Sequence, residues 1–307
     1  MKKVLVIYYT QSGQLLEIAR NVVSSLENSN DISVSYYQIK TDPRFDFPWE
    51  STNFFNAFPE SFLQLPSKLS PSHEGLLQAK YDLIILAYQV WYLTPSIPVN
   101  SFLKSNKAKI LNDTPVITVI GCRNMWVMAH EKVKKLLKNA NARLVGNIVL
   151  EDKHLNHISV ITIAQWMFSG KKERYLGIFP KPGVSQQDID SSKRFGKPIL
   201  DALIKDSFDT LQKELLKMKA VTIKPFLVLA DKRANILFGK WANFIIKKGE
   251  TRSPQRLFWI RIFKFYLLFA IWVIAPIFFI VFLLTYLPFY GKIKREKKYY
   301  SAVGLKY

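Results

Sequence analysis

Residues 4–9 form an unbroken apolar, largely β-branched run, the pattern of a strand buried on both faces. Residues 14–26 then place Leu15, Leu16, Ile18, Ala19, Val22, Val23 and Leu26 at helical spacing. The same alternation continues along the chain. Residues 31–39, 81–88, 115–120 and 143–150 read as strands, while a helix begins at 98–104 and a basic one follows at 130–139. Residues 185–218 read as helical with an interruption at Pro198. Strands alternating with helices predict a five-stranded parallel sheet with helices on both faces.

Two segments exceed that minimal unit. Residues 41–75 hold five prolines and seven aromatics (Phe45, Phe47, Trp49, Phe54, Phe55, Phe58 and Phe62). Residues 153–183 add a second extra segment, apolar and weakly amphipathic over 156–170. Both are too apolar for plain linkers. The predicted organisation is an α/β domain over 1–219, a basic amphipathic connector over 220–264, an apolar segment over 265–290 and a basic tail over 291–307. An interfacial helix is expected over 221–246.

Residues 265–290 contain no charged side chain, and about 20 apolar helical residues suffice to cross a bilayer core. Pro276 in mid-run makes a kinked span and a re-entrant hairpin the two forms of membrane insertion to consider. Charge agrees with a membrane. The chain carries 44 Lys and Arg against 23 Asp and Glu, a net of +21 in 307 residues. Residues 220–307 alone hold 16 basic side chains against three acidic ones. Arg252, Arg256, Arg261 and Lys264 precede the apolar run, and Lys292, Lys294, Arg295, Lys297 and Lys298 follow it, which suits anionic headgroups rather than nucleic acid. The N-terminal apolar stretch is too short for a signal peptide, so the α/β domain is expected in the cytoplasm, tethered to a bacterial inner membrane. One cysteine and four histidines exclude a disulfide scaffold and make a Cys- or His-built metal site untenable.

The candidate chemistry lies in loops. Thr10, Gln11, Ser12, Gly13 and Gln14 join the first strand to the first helix, where exposed backbone N–H groups and a helix N-terminus make an anion site. A plain helix cap by Thr10 or Ser12 is the alternative. Neither a G-x-G-x-x-G fingerprint nor a Walker loop is present, so the candidate ligand holds its phosphate without a lysine or a metal, as flavin mononucleotide does. Two further loops at carboxyl strand ends should converge with the first: Gln89, Val90, Trp91 and Tyr92, then Gly121, Cys122, Arg123 and Asn124. Trp91 and Tyr92 are the aromatics best placed to stack on a flat ring, ahead of Trp126.

These loops resemble those of flavodoxin-like proteins over about residues 1–215. Thr10, Gln11, Ser12 and Gly13 match the phosphate loop T-x-[TS]-G-x-[TS], and Leu15 stands where that pattern has a hydroxyl. Residues 81–103 are similar to the strand, flavin loop and helix of the quinone-reductase branch. The run 8–14, the aromatic insert and the apolar tail together resemble the dialkylresorcinol and flexirubin-type pigment family. That resemblance implies flavin mononucleotide as cofactor and aromatisation of a lipophilic cyclohexanedione. It also implies ketosynthase and acyl-carrier partners. The competing functions are a quinone reductase or protoporphyrinogen-oxidase-like enzyme, a non-enzymatic electron carrier, and a scaffold without cofactor. No catalytic residue is assigned. His130, His154 and His157 are the candidate bases, the last two expected on one helical face at i, i+3.

Overall fold

The computed structural model describes residues 1–305. Five strands build the central sheet: β1 (Lys2–Tyr8), β2 (Ile32–Gln38), β3 (Leu83–Trp91), β4 (Pro115–Cys122) and β5 (Arg143–Glu151). All neighbours are parallel, in the order β2-β1-β3-β4-β5. This is the flavodoxin-like doubly wound order, with its switch point between β1 and β3. β3, β4 and β5 run one to three residues past their expected ends, so the strands themselves carry the candidate loops outward. Thr94–Pro95 folds back antiparallel on β3 and closes the second loop.

Alternate residues of β1 feed two cores. Val4, Val6 and Tyr8 join α1 (Gln14–Glu27), α8 (Gly196–Ile204) and α9 (Leu211–Lys217) on one face. Leu5 and Ile7, with Tyr9 just past the strand, join α4 (Ile97–Lys104) and α5 (Val127–Asn139) on the other. The expected interruption at Pro198 is not there. Pro198 lies in the first turn of α8, where its missing N–H costs nothing, and the break falls at residues 205–210. A short helix, α7 (Gln186–Ser191), precedes α8.

The second crossover is replaced by the aromatic insert. It holds two short helices, α2 (Ser51–Asn56) and α3 (Phe58–Phe62), and packs Leu69, Leu76 and Leu77 against the second core. Its aromatic part forms a third core with α10 (Pro225–Ile246) and α11 (Pro254–Phe269). Phe58 stacks on Phe263 at 3.9 Å and meets Phe238 edge to face. Phe244–Trp259, Phe238–Phe263 and Phe226–Phe282 pair α10 antiparallel to the apolar segment along its length. The expected boundary at residue 265 therefore lies inside a helix. Among the described residues one helix is long and apolar enough to cross a membrane, Pro254–Thr285. It joins α11 to α12 (Ala275–Thr285) through a turn of π-helix, Ala270–Ile274. In π register the partner of the Ile271 carbonyl is the nitrogen of Pro276, which has no hydrogen; His157 Nε2 donates to that carbonyl instead, at 3.1 Å.

α6 (Asn156–Ser169) begins after His154, so His154 and His157 do not share a helical face. α6 stops at Gly170, whose φ of 75° only glycine adopts freely. α13 (Tyr290–Ser301) ends the described chain.

Asp231 locks α10 to the sheet domain. No side chain of its own neighbourhood caps α5. Asp231 Oδ2 accepts from Met128 N at 2.9 Å and Oδ1 from Asn235 Nδ2 at 3.0 Å, placing a carboxylate at the α5 N-terminus. Burial pushes this carboxyl up from 3.8 to about 7, against the pull of its N–H donors and Lys132. Between pH 4 and 7 the folded chain keeps this proton and the unfolded chain has lost it. Stability from this group therefore falls as pH rises through that window. Thermal midpoints in detergent should decline across it, and Asp231→Asn should flatten the decline; an unchanged slope in the variant would remove Asp231 as its source.

Candidate functional site

Parallel strands open all their carboxyl ends on one edge, so the first three candidate loops meet there by construction. In the first, Gly13 is the N-cap of α1 with φ 85°, and no side chain caps the helix. The simple-cap alternative is thus not realised: Ser12 and Thr10 leave the N-terminal amides of α1 open. The Thr10 hydroxyl is buried with no partner. Gln11 Nε2 donates to Asp46 O in the insert at 3.2 Å. Gln14 is held both ways by Val184, donating to its carbonyl and accepting from its N–H, each at 3.1 Å. Leu15 belongs to the core instead of the ligand edge: it is 1% exposed, and a Cβ on Gly121 would come within 3.1 Å of it.

In the second loop the Gln89 side-chain oxygen is buried and unpartnered. Val90 continues the strand, paired with Pro95. Trp91 stands half-buried between the first loop and the insert, edge to face with Tyr9 (5.8 Å), Phe45 (5.2 Å) and Trp49 (5.4 Å). Tyr92 is committed elsewhere. Its hydroxyl donates to Phe54 O at 2.7 Å, its ring packs on Phe54 and Phe58, and burial drives its phenol well above the usual value. Trp126 is a core residue beside His130.

In the third loop Gly121 lets β4 lie close on Leu15 and Ile18. Arg123 Nη1 donates to Asn156 Oδ1 at 2.9 Å, and burial lowers the guanidinium to about 10. Asn124 Nδ2 donates to the same Asn156 oxygen at 3.0 Å, while the Asn124 oxygen is buried and unpartnered. Each of the three loops therefore contributes one buried polar oxygen without a partner: Thr10 Oγ1, Gln89 Oε1 and Asn124 Oδ1. Leaving such a group unsatisfied costs about 1–3 kcal/mol, a cost that a ligand offering hydrogen bonds at this edge would remove.

The sequence alone missed Asn156, which ties the third loop to α6, and Asp152, which gives His154 a partner. Asp152 is buried and its backbone N–H donates to Cys122 O at 3.1 Å, which puts it beside the third loop. His154 Nδ1 lies 2.6 Å from Asp152 Oδ1, and Ser159 Oγ donates to Asp152 Oδ2 at 2.7 Å. The carboxylate accepts the Nδ1 proton and leaves Nε2 as the free ring nitrogen. A carboxylate two residues ahead of a histidine was the signal present in the sequence. His130 is no base of this edge: it is buried, bonded to Tyr88, and burial lowers its basicity. His157 is spent on Ile271. Among the described residues no cluster of three or more His, Cys, Asp or Glu could hold a metal.

No protein-family model matches the chain, and no curated protein matches it. Solved structures of similar shape include a flavodoxin, WrbA-like protein from Agrobacterium tumefaciens, 11% identical, covering 67% of this chain and 99% of its own, with a TM-score of 0.39. Megasphaera elsdenii flavodoxin is 12% identical over 50% of this chain and 89% of its own, at 0.30. The Trp repressor binding protein from Bacillus subtilis is 13% identical over 55% and 99%, at 0.29. Likenesses this distant carry no function; the fold class rests on the strand order.

Cys122 sits among these groups and is partly exposed. Its thiol contacts Leu150 O, and burial with nearby Glu151 drives it well above its usual value, so little thiolate exists at neutral pH. Iodoacetamide at pH 7.5 should alkylate the folded chain on the order of a hundredfold more slowly than the unfolded one. Equal rates, read by mass spectrometry, would contradict the burial.

Proposed function

We propose that the chain is a flavin mononucleotide-dependent oxidoreductase that works beside a membrane on a lipophilic ring compound. The observation that supports it is the set of three unpartnered oxygens on three loops, set next to an uncapped helix N-terminus. These residues fit the group. The amides of Thr10–Gln14 and the α1 N-terminus would hold its phosphate without a cation. The side-chain amides of Gln89 and Asn124 would bond the polar rim of its ring, and Trp91 would flank it. When bound, the flavin supplies a two-electron acceptor.

The narrower reading is oxidation of a dialkyl cyclohexane-1,3-dione to a dialkylresorcinol. It rests on the resemblance to the pigment family and on the apolar surroundings of the edge. The conversion removes two hydrogens. His154 Nε2, oriented by Asp152, would take the acidic ring proton, and a bound flavin would be the two-electron acceptor for the other hydrogen, so that enolisation leaves an aromatic ring. Alkyl chains gain about 0.8 kcal/mol per buried CH2, and the aromatic insert offers such surface. A ketosynthase and acyl carrier would supply the ring.

Anaerobic titration tests both levels. The purified chain should take up flavin mononucleotide, and Gly13→Val, which forces a branched residue into φ 85°, should weaken uptake about tenfold or more. A chain that binds no flavin overturns the proposal. A dialkyl cyclohexanedione should bleach the bound flavin, and His154→Ala should slow bleaching about a hundredfold while leaving uptake unchanged. Bleaching by NAD(P)H with reoxidation by menaquinone, and no response to the dione, would replace the narrower reading with quinone reduction.

A further inference from the structure

The apolar helix is fastened to one globular body at both ends and in the middle. At its start Arg256, 2% exposed, donates through Nη2 to Glu60 Oε2 at 2.6 Å and to Asn56 O at 2.9 Å. Midway, His157 bonds Ile271 O and its ring stacks on Trp272 at 4.7 Å. Beyond its end, Glu296 pairs with Lys232 at 2.8 Å. Gln212 Nε2 of α9 donates to Ser301 O at 2.9 Å, and Lys134 Nζ of α5 donates to Ala302 O and Gly304 O, each at 3.1 Å. The 32-residue rod is about 48 Å long, so these anchors run along more than a bilayer core of about 30 Å.

A spanning helix must deliver its ends to opposite sides of that core. Here the same sheet domain holds both. Drawing the body into the bilayer would take Lys232, Arg233 and Lys240 of α10 with it, and charged side chains at that depth are strongly disfavoured. The rod's other face is open. Phe265, Phe269, Trp272, Ile277, Ile280 and Leu284 are 45–76% exposed and line its most open side, and intervening apolar residues such as Ile274 and Leu283 are about half exposed as well. The rod, α10 and α13 also enclose an apolar cleft of 240 Å³. Its charged lining is Arg233, Lys292, Lys297 and Glu296. Glu296 is neutralised by Lys232, which leaves three cations with no carboxylate partner among the described residues.

We propose that the chain does not span the membrane: the rod lies in the plane of one leaflet, its open face among the acyl chains, with Arg233, Lys292 and Lys297 on anionic phospholipid headgroups. The partner is a lipid surface because the open face is wholly apolar while the flanking charge is basic. The arrangement is independent of flavin binding. It also brings the leaflet to α6, whose Asn156 holds the third loop.

Double-cysteine chains test it. In a Cys122→Ser background, Gly75→Cys on the sheet domain and Gly304→Cys on the tail each place a Cβ in open space. The full chain is reconstituted in sealed phosphatidylglycerol vesicles and treated with a membrane-impermeant polymer maleimide. In-plane seating gives chains modified twice or not at all. Chains modified once, which gain the second polymer only after detergent, would overturn it. As a second measurement, Ile280→Lys with Leu284→Lys should cut flotation with these vesicles at least about tenfold while near-ultraviolet dichroism stays native. Undiminished flotation would overturn the assigned face. Phosphatidylcholine vesicles should bind more weakly than phosphatidylglycerol; equal binding would overturn the headgroup contact.

Discussion

Every strand of the sheet runs the same way, and that one constraint organises the molecule. Parallel strands must be joined by crossovers that cover the two faces, and their carboxyl ends must all open on one edge. Thr10, Gln89 and Asn124 lie far apart in sequence. They share an edge because β1, β3 and β4 are neighbours in the sheet. The same geometry brings Asp152, at the end of β5, next to Cys122 at the end of β4.

One crossover departs from the simple pattern, and the rest of the chain answers it. Between β2 and β3 the aromatic insert does the covering. Its Phe58 and Phe62 would face water were they not closed over by Phe238 of α10 and Phe263 of α11. The C-terminal helices are thus part of the body: hydrophobic burial joins them to the insert, and buried polar and charged groups set their register. Arg256 finds Glu60, Asp231 finds the α5 N-terminus, and Lys134 finds the carbonyls of the tail. Such groups are costly to bury unpaired, so each fixes one arrangement among the many that apolar contact alone would permit.

Charge and shape then act together. The basic surplus is concentrated around an apolar face that the body does not cover, while the edge carrying the candidate site is tied to that face through α6.

The sequence by itself determined the parallel α/β sheet, the position of the Thr10–Gln14 loop between β1 and α1, and the presence of one long apolar helix. These are local signals: buried strands read as continuous apolar runs, helices as a 3.6-residue period, and a loop between them by its small residues. The tertiary structure alone decided which side chains use those places. Tyr92 looked like a stacking aromatic, but a φ of 48° turns it into the insert. Leu15 looked like a lost hydroxyl, but it packs beneath Gly121. His154 gained a carboxylate partner and lost its expected companion, because α6 starts after it. The apolar run had the length to span a bilayer. Whether its two ends separate or return to one body depends on contacts such as Arg256–Glu60 and Gln212–Ser301, which join residues 196 and 89 positions apart and leave no periodic trace in the sequence.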